Sequence, residues 1–164
     1  MNLIIDDVSF TYPAGAEALR GISLHISEGE AVAIVGENGA GKTTLVKHFN
    51  GLLKPTRGRV TVGDWDTRTQ SVARMAARVG YVFQNPDDQI VERTVADEVA
   101  FGPRRLGQSE ADVAANSAAA LAMVELSDEA QTHPYDLSAP QRKLVTLASV
   151  LAMRTPIVIF DEPT

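Results

Sequence analysis

Two clusters in this 164-residue chain have residue types and spacing suited to phosphate chemistry. The first is Gly36-Glu37-Asn38-Gly39-Ala40-Gly41-Lys42-Thr43-Thr44, which fits the pattern G-x-x-x-x-G-K-[ST]. Its small residues let successive backbone N–H groups turn inward around phosphate oxygens. The helix that follows the loop adds its positive N-terminal pole. In such a loop Lys42 reaches the β- and γ-phosphates, and the Thr43 hydroxyl ligates Mg²⁺. The plain alternative is a glycine turn between a strand and a helix. The second cluster is the apolar run Ile157-Val158-Ile159-Phe160 followed by Asp161-Glu162. Mg²⁺ takes hard oxygen ligands and keeps several waters, so Asp161 suits holding a magnesium-bound water. Glu162 suits accepting a proton from, or orienting, the water that attacks the γ-phosphate. The plain alternative is a strand ending in acidic turn residues.

Groups of this kind need a scaffold that holds them still. Ala31-Val32-Ala33-Ile34-Val35 predicts a strand leading into the loop, and Leu45 to Phe49 a helix leaving it. Further strands are predicted at Asn2 to Ile5, Val8 to Tyr12, Ile22 to Ile26, Arg59 to Val62 and Val79 to Phe83. Ile157 to Phe160, continuously apolar, predicts a strand buried on both faces. The middle of the chain reads as helical. Ser109 and Asp112 form a capping-box variant, and Val113, Ser117, Ala120, Leu121 and Val124 then share one helical face. Ser138 and Gln141 form a second box, followed by Leu144, Leu147, Ala148 and Leu151 at helical spacing. Trp65 reads as packing in the strand-rich region, and Arg104 and Arg105 as a solvated face. This order predicts an α/β fold, a parallel sheet with inserted subdomains. A chain ending directly after a buried strand reads as a fragment. It would lack turnover and expose an unpaired sheet edge prone to aggregation.

Composition narrows the function classes. There are 15 Lys+Arg against 21 Asp+Glu, a net charge of −6, which argues against binding nucleic acid through a general basic surface. There is no Cys, so disulfides and thiolate zinc sites are excluded. The first residues lack the layout of a signal peptide. No apolar run approaches the ~18 residues of a membrane span.

From Val8 to Thr164 the chain resembles the ATP-binding cassette (ABC) ATPases. Gly36 to Thr44 is similar to their Walker A motif, and Ile157 to Glu162 to Walker B with its catalytic glutamate. The resemblance implies a P-loop NTPase core with a parallel sheet, an N-terminal antiparallel β subdomain and an inserted α-helical subdomain at about 85–153. On it, residues 1–164 are a partial nucleotide-binding domain whose C-terminal core, D-loop and switch histidine are missing. It implies ATP and Mg²⁺ as ligands. ATP would lie against Tyr12, Gly36, Asn38, Gly39, Ala40, Gly41, Lys42, Thr43 and Thr44, with the Tyr12 ring stacked on adenine. Thr43, Gln84 and Asp161 would face the metal. Lys42, Gln84 and Glu162 would act in catalysis. Ser138, in the signature segment Leu137-Ser138-Ala139-Pro140-Gln141, would reach ATP held by a partner subunit. That segment departs from the family's L-S-G-G-Q: Pro140 removes a donor and Ala139 adds a methyl where backbone must come close.

Gln84-Asn85-Pro86-Asp87-Asp88-Gln89 and Thr94 to Pro103 are similar to energy-coupling factor (ECF) transporter ATPases. This implies an ATP-hydrolysing subunit of a vitamin or transition-metal importer, peripheral on the cytoplasmic face of the cell membrane. Its partners would be a second ABC ATPase subunit in a heterodimer, a transmembrane coupling subunit and a substrate-binding membrane subunit, with no nucleic acid. Two other readings stand beside it. One is a soluble, non-transport ABC ATPase. The other is a nucleotide-binding regulatory module without hydrolysis.

Overall fold

The computed structural model describes residues 1–161; Glu162, the predicted catalytic carboxylate, lies outside the described residues with 163 and 164. The chain divides into two compact units, Met1–Val79 and Gly80–Thr164.

The first unit is built on β1 (Leu3–Thr11). It pairs antiparallel with β2 (Glu17–Ile26) on one side and β3 (Arg57–Val62) on the other, and β4 (Trp65–Asp66) adds to β3. The two expected runs, Asn2–Ile5 and Val8–Tyr12, are one strand with a register break between Ile5 and Val8. Leu3 and Ile5 face the core before the break, and Val8 and Phe10 after it. The extra residue resets the two-residue alternation, as a β-bulge does. Asp7 sits there at φ 48. Opposite it Gly58 has φ 78, and a Cβ at that position would lie 2.3 Å from the Asp7 carbonyl oxygen. Only glycine lets β3 approach the bulge.

Two helices complete this unit, α1 (Lys42–Phe49) and the single turn α2 (Val72–Met75). The α1 helix buries Leu45, Val46, His48 and Phe49. Trp65 packs as expected, with the Arg78 and Arg74 guanidinium groups 3.6 and 4.7 Å from its ring. One expectation fails. Ala31 to Val35 is not a strand, and Val35 is 88% exposed. A strand exists through its ladder bonds, and among the described residues no segment pairs with this one.

The second unit carries a two-stranded parallel sheet of β5 (Val79–Val82) and β6 (Ile157–Phe160). Three helices lie between them in sequence: α3 (Val95–Arg105), α4 (Glu110–Met123) and α5 (Ala139–Ala152). They share a core of Val95, Val99, Ala120, Leu121, Val145 and Ala148. Ser109 caps α4 and accepts the Asp112 N–H at 3.1 Å, and the expected α4 face is buried. The expected α5 face is met in part: Ala148 lies in the helical core and Leu147 and Leu151 pack against it. Leu144 is exposed and Leu147 and Leu151 only half-buried, whereas Val145, Ala148 and Ala152 are fully buried. Thr146, Ser149 and Val150 are buried as well, so α5 is enclosed on more than the one expected face. The β6 strand is less enclosed than expected. Phe160 is 48% exposed, since among the described residues β5 is the only strand beside it.

Candidate functional site

In the first unit the glycine-rich loop ends where α1 begins. Gly41 is the residue before the first helical turn, at φ 89, and a Cβ there would lie 2.7 Å from the Ala18 carbonyl oxygen. Glycine is thus required both for the left-handed turn and for the approach to β2. Gly36, Asn38, Gly39 and Ala40 are all exposed along the loop. The Ala40 N–H returns to the Glu37 carbonyl at 3.2 Å. The Lys42 ammonium folds back over the loop and donates to the Gly36 and Glu37 carbonyl oxygens, each at 2.9 Å. The first amides of any α-helix lack intrahelical acceptors, so the loop delivers N–H groups and a cation to one place.

Tyr12 stands beside this helix. Its hydroxyl lies 2.9 Å from Thr44 Oγ1, and its ring meets Phe10 edge-on at 4.8 Å. It is 37% exposed, so ring surface is left for a ligand. Underneath, His48 is fully buried, and its Nδ1–H donates to the Thr44 carbonyl at 2.7 Å. Burial pushes its pKa below the ordinary value, so the ring is held neutral.

In the second unit Asp161 follows β6 directly and is 7% exposed. Its N–H donates to the Val82 carbonyl at 3.1 Å. Its Oδ2 accepts the Tyr81 hydroxyl at 2.7 Å. Burial, reinforced by that carboxylate, pushes the Tyr81 phenol well above its ordinary pKa, so it remains a donor. Gln84 is exposed just beyond β5. The segment after it is anchored by Gln89, whose Oε1 accepts the Phe83 N–H at 3.1 Å. The Gln89 Nε2 donates to the Thr146 carbonyl and to Ser149 Oγ on α5, each at 3.0 Å. Ser138 is exposed at the start of α5. Its hydroxyl donates to Gln141 Oε1 at 2.7 Å, and that oxygen also accepts the Ser138 N–H at 3.1 Å. Pro140 occupies the first turn without disturbing the helix.

The donors expected at the metal are a hydroxyl (Thr43), an amide oxygen (Gln84) and a carboxylate (Asp161). All are hard oxygens, the set that suits Mg²⁺. Tyr81 and Gln89 were not foreseen. For Tyr81 the only sequence signal was its place in the strand before Gln84; Gln89 closes the Gln84–Gln89 segment, a signal of kinship that said nothing of this anchoring role.

A family model described as ABC transporter matches residues 19–164. The chain belongs to the ABC transporter family. The cassette is 45% identical over 157 residues to the energy-coupling factor transporter ATP-binding protein EcfA of Methanosphaera stadtmanae. That match covers 94% of this chain and 56% of the relative, so the chain spans little more than half the relative's length. Among solved structures, CbiO1 from Clostridium perfringens, part of the ABC transporter complex cbiONQ, is similar with TM-score 0.83 and 32% identity. It is matched over 97% of this chain and 64% of its own. The cassette MJ0796, in a dimeric post-hydrolysis state bound to ADP and Pi, superposes with TM-score 0.87 and 30% identity. That superposition covers 99% of this chain and 74% of that one. These likenesses agree with the α/β P-loop fold expected from the motifs. Among the described residues no helix is long and apolar enough to cross a membrane.

Proposed function

We propose that this cassette binds Mg-ATP, hydrolyses it, and drives a membrane importer of the ECF type. The observation that carries the reading is the Lys42 ammonium over the loop carbonyls at the start of α1. A triphosphate would offer this cation charged oxygens in place of two neutral carbonyls. Charge-assisted bonds are the stronger ones, so the exchange favours the ligand. The loop from Gly36 to Thr44 and the pole of α1 would cradle the phosphates, and the exposed face of Tyr12 would take the adenine. Thr43, Gln84 and Asp161 would hold the metal, with Gln84 also acting in catalysis beside Lys42. Glu162 would orient the attacking water. Bound Mg²⁺ neutralises charge that develops on the phosphoryl oxygens. Ser138 would serve ATP on a second cassette.

The names of its relatives support the transport half of the reading. The Methanosphaera relative is named for the energy-coupling factor, and CbiO1 is part of a transporter complex. The solute would be a vitamin or a transition-metal ion, as the resemblance of Gln84 to Pro103 to energy-coupling factor ATPases implies. The cassette would work at the cytoplasmic face of the membrane with a second ATPase subunit, a transmembrane coupling subunit and a substrate-binding membrane subunit. Residues 85–153 would form its helical subdomain.

Calorimetry with Mg-ATP tests the nucleotide half. Removing one charge-assisted partner costs about 1.5–3 kcal/mol, so Lys42→Ala should weaken binding by roughly one to two orders of magnitude. Equal affinity for wild type and variant would refute the assignment.

A further inference from the structure

We propose that Tyr81 is a positioning residue for Asp161: its buried hydroxyl fixes the carboxylate and so sets how tightly the nucleotide complex holds its divalent cation. The inference rests on the reading of Asp161 as the metal-side carboxylate.

Asp161 is held from β5 at two points. The Val82 carbonyl takes its N–H at 3.1 Å, which fixes the backbone. The Tyr81 hydroxyl donates to Oδ2 at 2.7 Å, which fixes the rotation of the carboxylate. Both side chains are nearly sealed, at 7% exposure each. A short O–H···O⁻ bond in such surroundings is among the stronger kinds.

Composition argues that the hydroxyl is there for Asp161. The β5 strand reads Val79-Gly80-Tyr81-Val82, and all four residues are buried. Tyr81 is the only member with a polar side chain. Its ring already has an apolar role, tilted against Phe83 at 4.9 Å between centroids. A phenylalanine would fill the same space. The one thing it would lose is the bond to Oδ2. A carboxylate taken out of water needs hydrogen bonds in place of its hydration, and Tyr81 supplies one without adding charge. The Tyr81 hydroxyl itself brings no positive charge to the carboxylate. An arginine or lysine in its place would compensate that charge and compete with the metal. Partners of this kind, bonded to a ligating carboxylate, typically change metal affinity 10- to 100-fold when removed.

The test uses the full chain, a non-hydrolysable ATP analogue and Mn²⁺, with free Mn²⁺ read by electron paramagnetic resonance. Tyr81→Phe should weaken Mn²⁺ binding to the analogue complex by about 10-fold or more. Binding of the analogue without metal should not change. Asp161→Asn should also weaken Mn²⁺ binding, and adding Tyr81→Phe to it should have no further effect, because the hydroxyl acts through that carboxylate. A role in packing alone would give additive losses. Tyr81→Phe keeps the ring packed on Phe83, and its urea midpoint beside that of the wild type separates a loss of fold from a loss of cation affinity. Wild-type Mn²⁺ affinity in Tyr81→Phe, with a loss in Asp161→Asn, would overturn the proposal and leave the metal reading intact. Wild-type affinity in both single variants would overturn the metal reading of Asp161, and the proposal with it.

Discussion

His48 shows how far a single residue is decided by its surroundings. It has no exposed surface, its Nδ1–H is spent on the Thr44 carbonyl, and its ring meets Phe10 edge-on at 4.9 Å. Nε2 finds no hydrogen-bond partner among the described residues. Burial disfavours the imidazolium and lowers the native pKa below 6.5. The unfolded chain takes up this proton near its ordinary pKa, while the native state resists it to lower pH. The stability linked to His48 is therefore complete above about pH 6.5 and declines as the pH falls through the window beneath it. Urea midpoints followed from neutral to mildly acidic pH should fall in that window. His48→Gln keeps a donor for Thr44 and does not titrate, so its profile should be flatter there. A slope identical to wild type would exclude His48 as the source. Little of this was legible beforehand. His48 stood in an apolar helical run, but only tertiary packing, with the Phe10 ring against it, makes its burial complete. Lys42 differs, since the loop motif proposes a role for it before any neighbour is known.

Elements were legible where their signals are local. The Ser109 and Ser138 boxes announced α4 and α5, because a capping side chain bonds to amides only two or three residues away. The start of α3 carries the same grammar, Thr94 accepting the Asp97 N–H at 3.1 Å, but was not recognised as a helix. Gly102 and Pro103 inside its last turns conceal the pattern. Strands depend on partners, which is why Ala31 to Val35 read as a strand and is none. The same dependence explains the bulge in β1: its reset alternation is visible in the sequence, while the Gly58 that accommodates it lies some fifty residues away. Gln89 belongs at this level too, since its amide ties the end of β5 to the middle of α5. Gln89→Leu leaves the Phe83 N–H and the Thr146 carbonyl without that partner. It should cost about 1–3 kcal/mol in urea unfolding, against about 1 kcal/mol for Thr94→Ala, which removes only a cap. A Gln89→Leu variant as stable as wild type would mean that water replaces the amide at no cost.

The signature segment bears on how two cassettes would act together. If ATP is sandwiched between subunits, each nucleotide meets one subunit's Walker motifs and the other's signature. This chain brings an intact Walker loop and an altered signature. The first turn of α5 has no N–H at Pro140, carries a methyl at Ala139, and has the Ser138 hydroxyl engaged with Gln141. Fewer donors are then left for a γ-phosphate, although the helix itself is well capped. A homodimer would contain two weakened sites. A heterodimer with a partner of intact signature would contain one strong site, using Lys42, Asp161 and Glu162, and one that binds ATP but turns it over slowly. The second arrangement makes better use of the carboxylates this chain retains. Single-turnover hydrolysis by the assembled pair should therefore collapse with Glu162→Gln, while the matching change in the partner should matter little. Replacing Ala139 and Pro140 by glycine restores an amide and removes a methyl, so it should speed the slow site and make both carboxylates count. Equal losses from the two carboxylate changes in the unaltered pair, or full activity in a homodimer, would show that Pro140 costs the signature nothing.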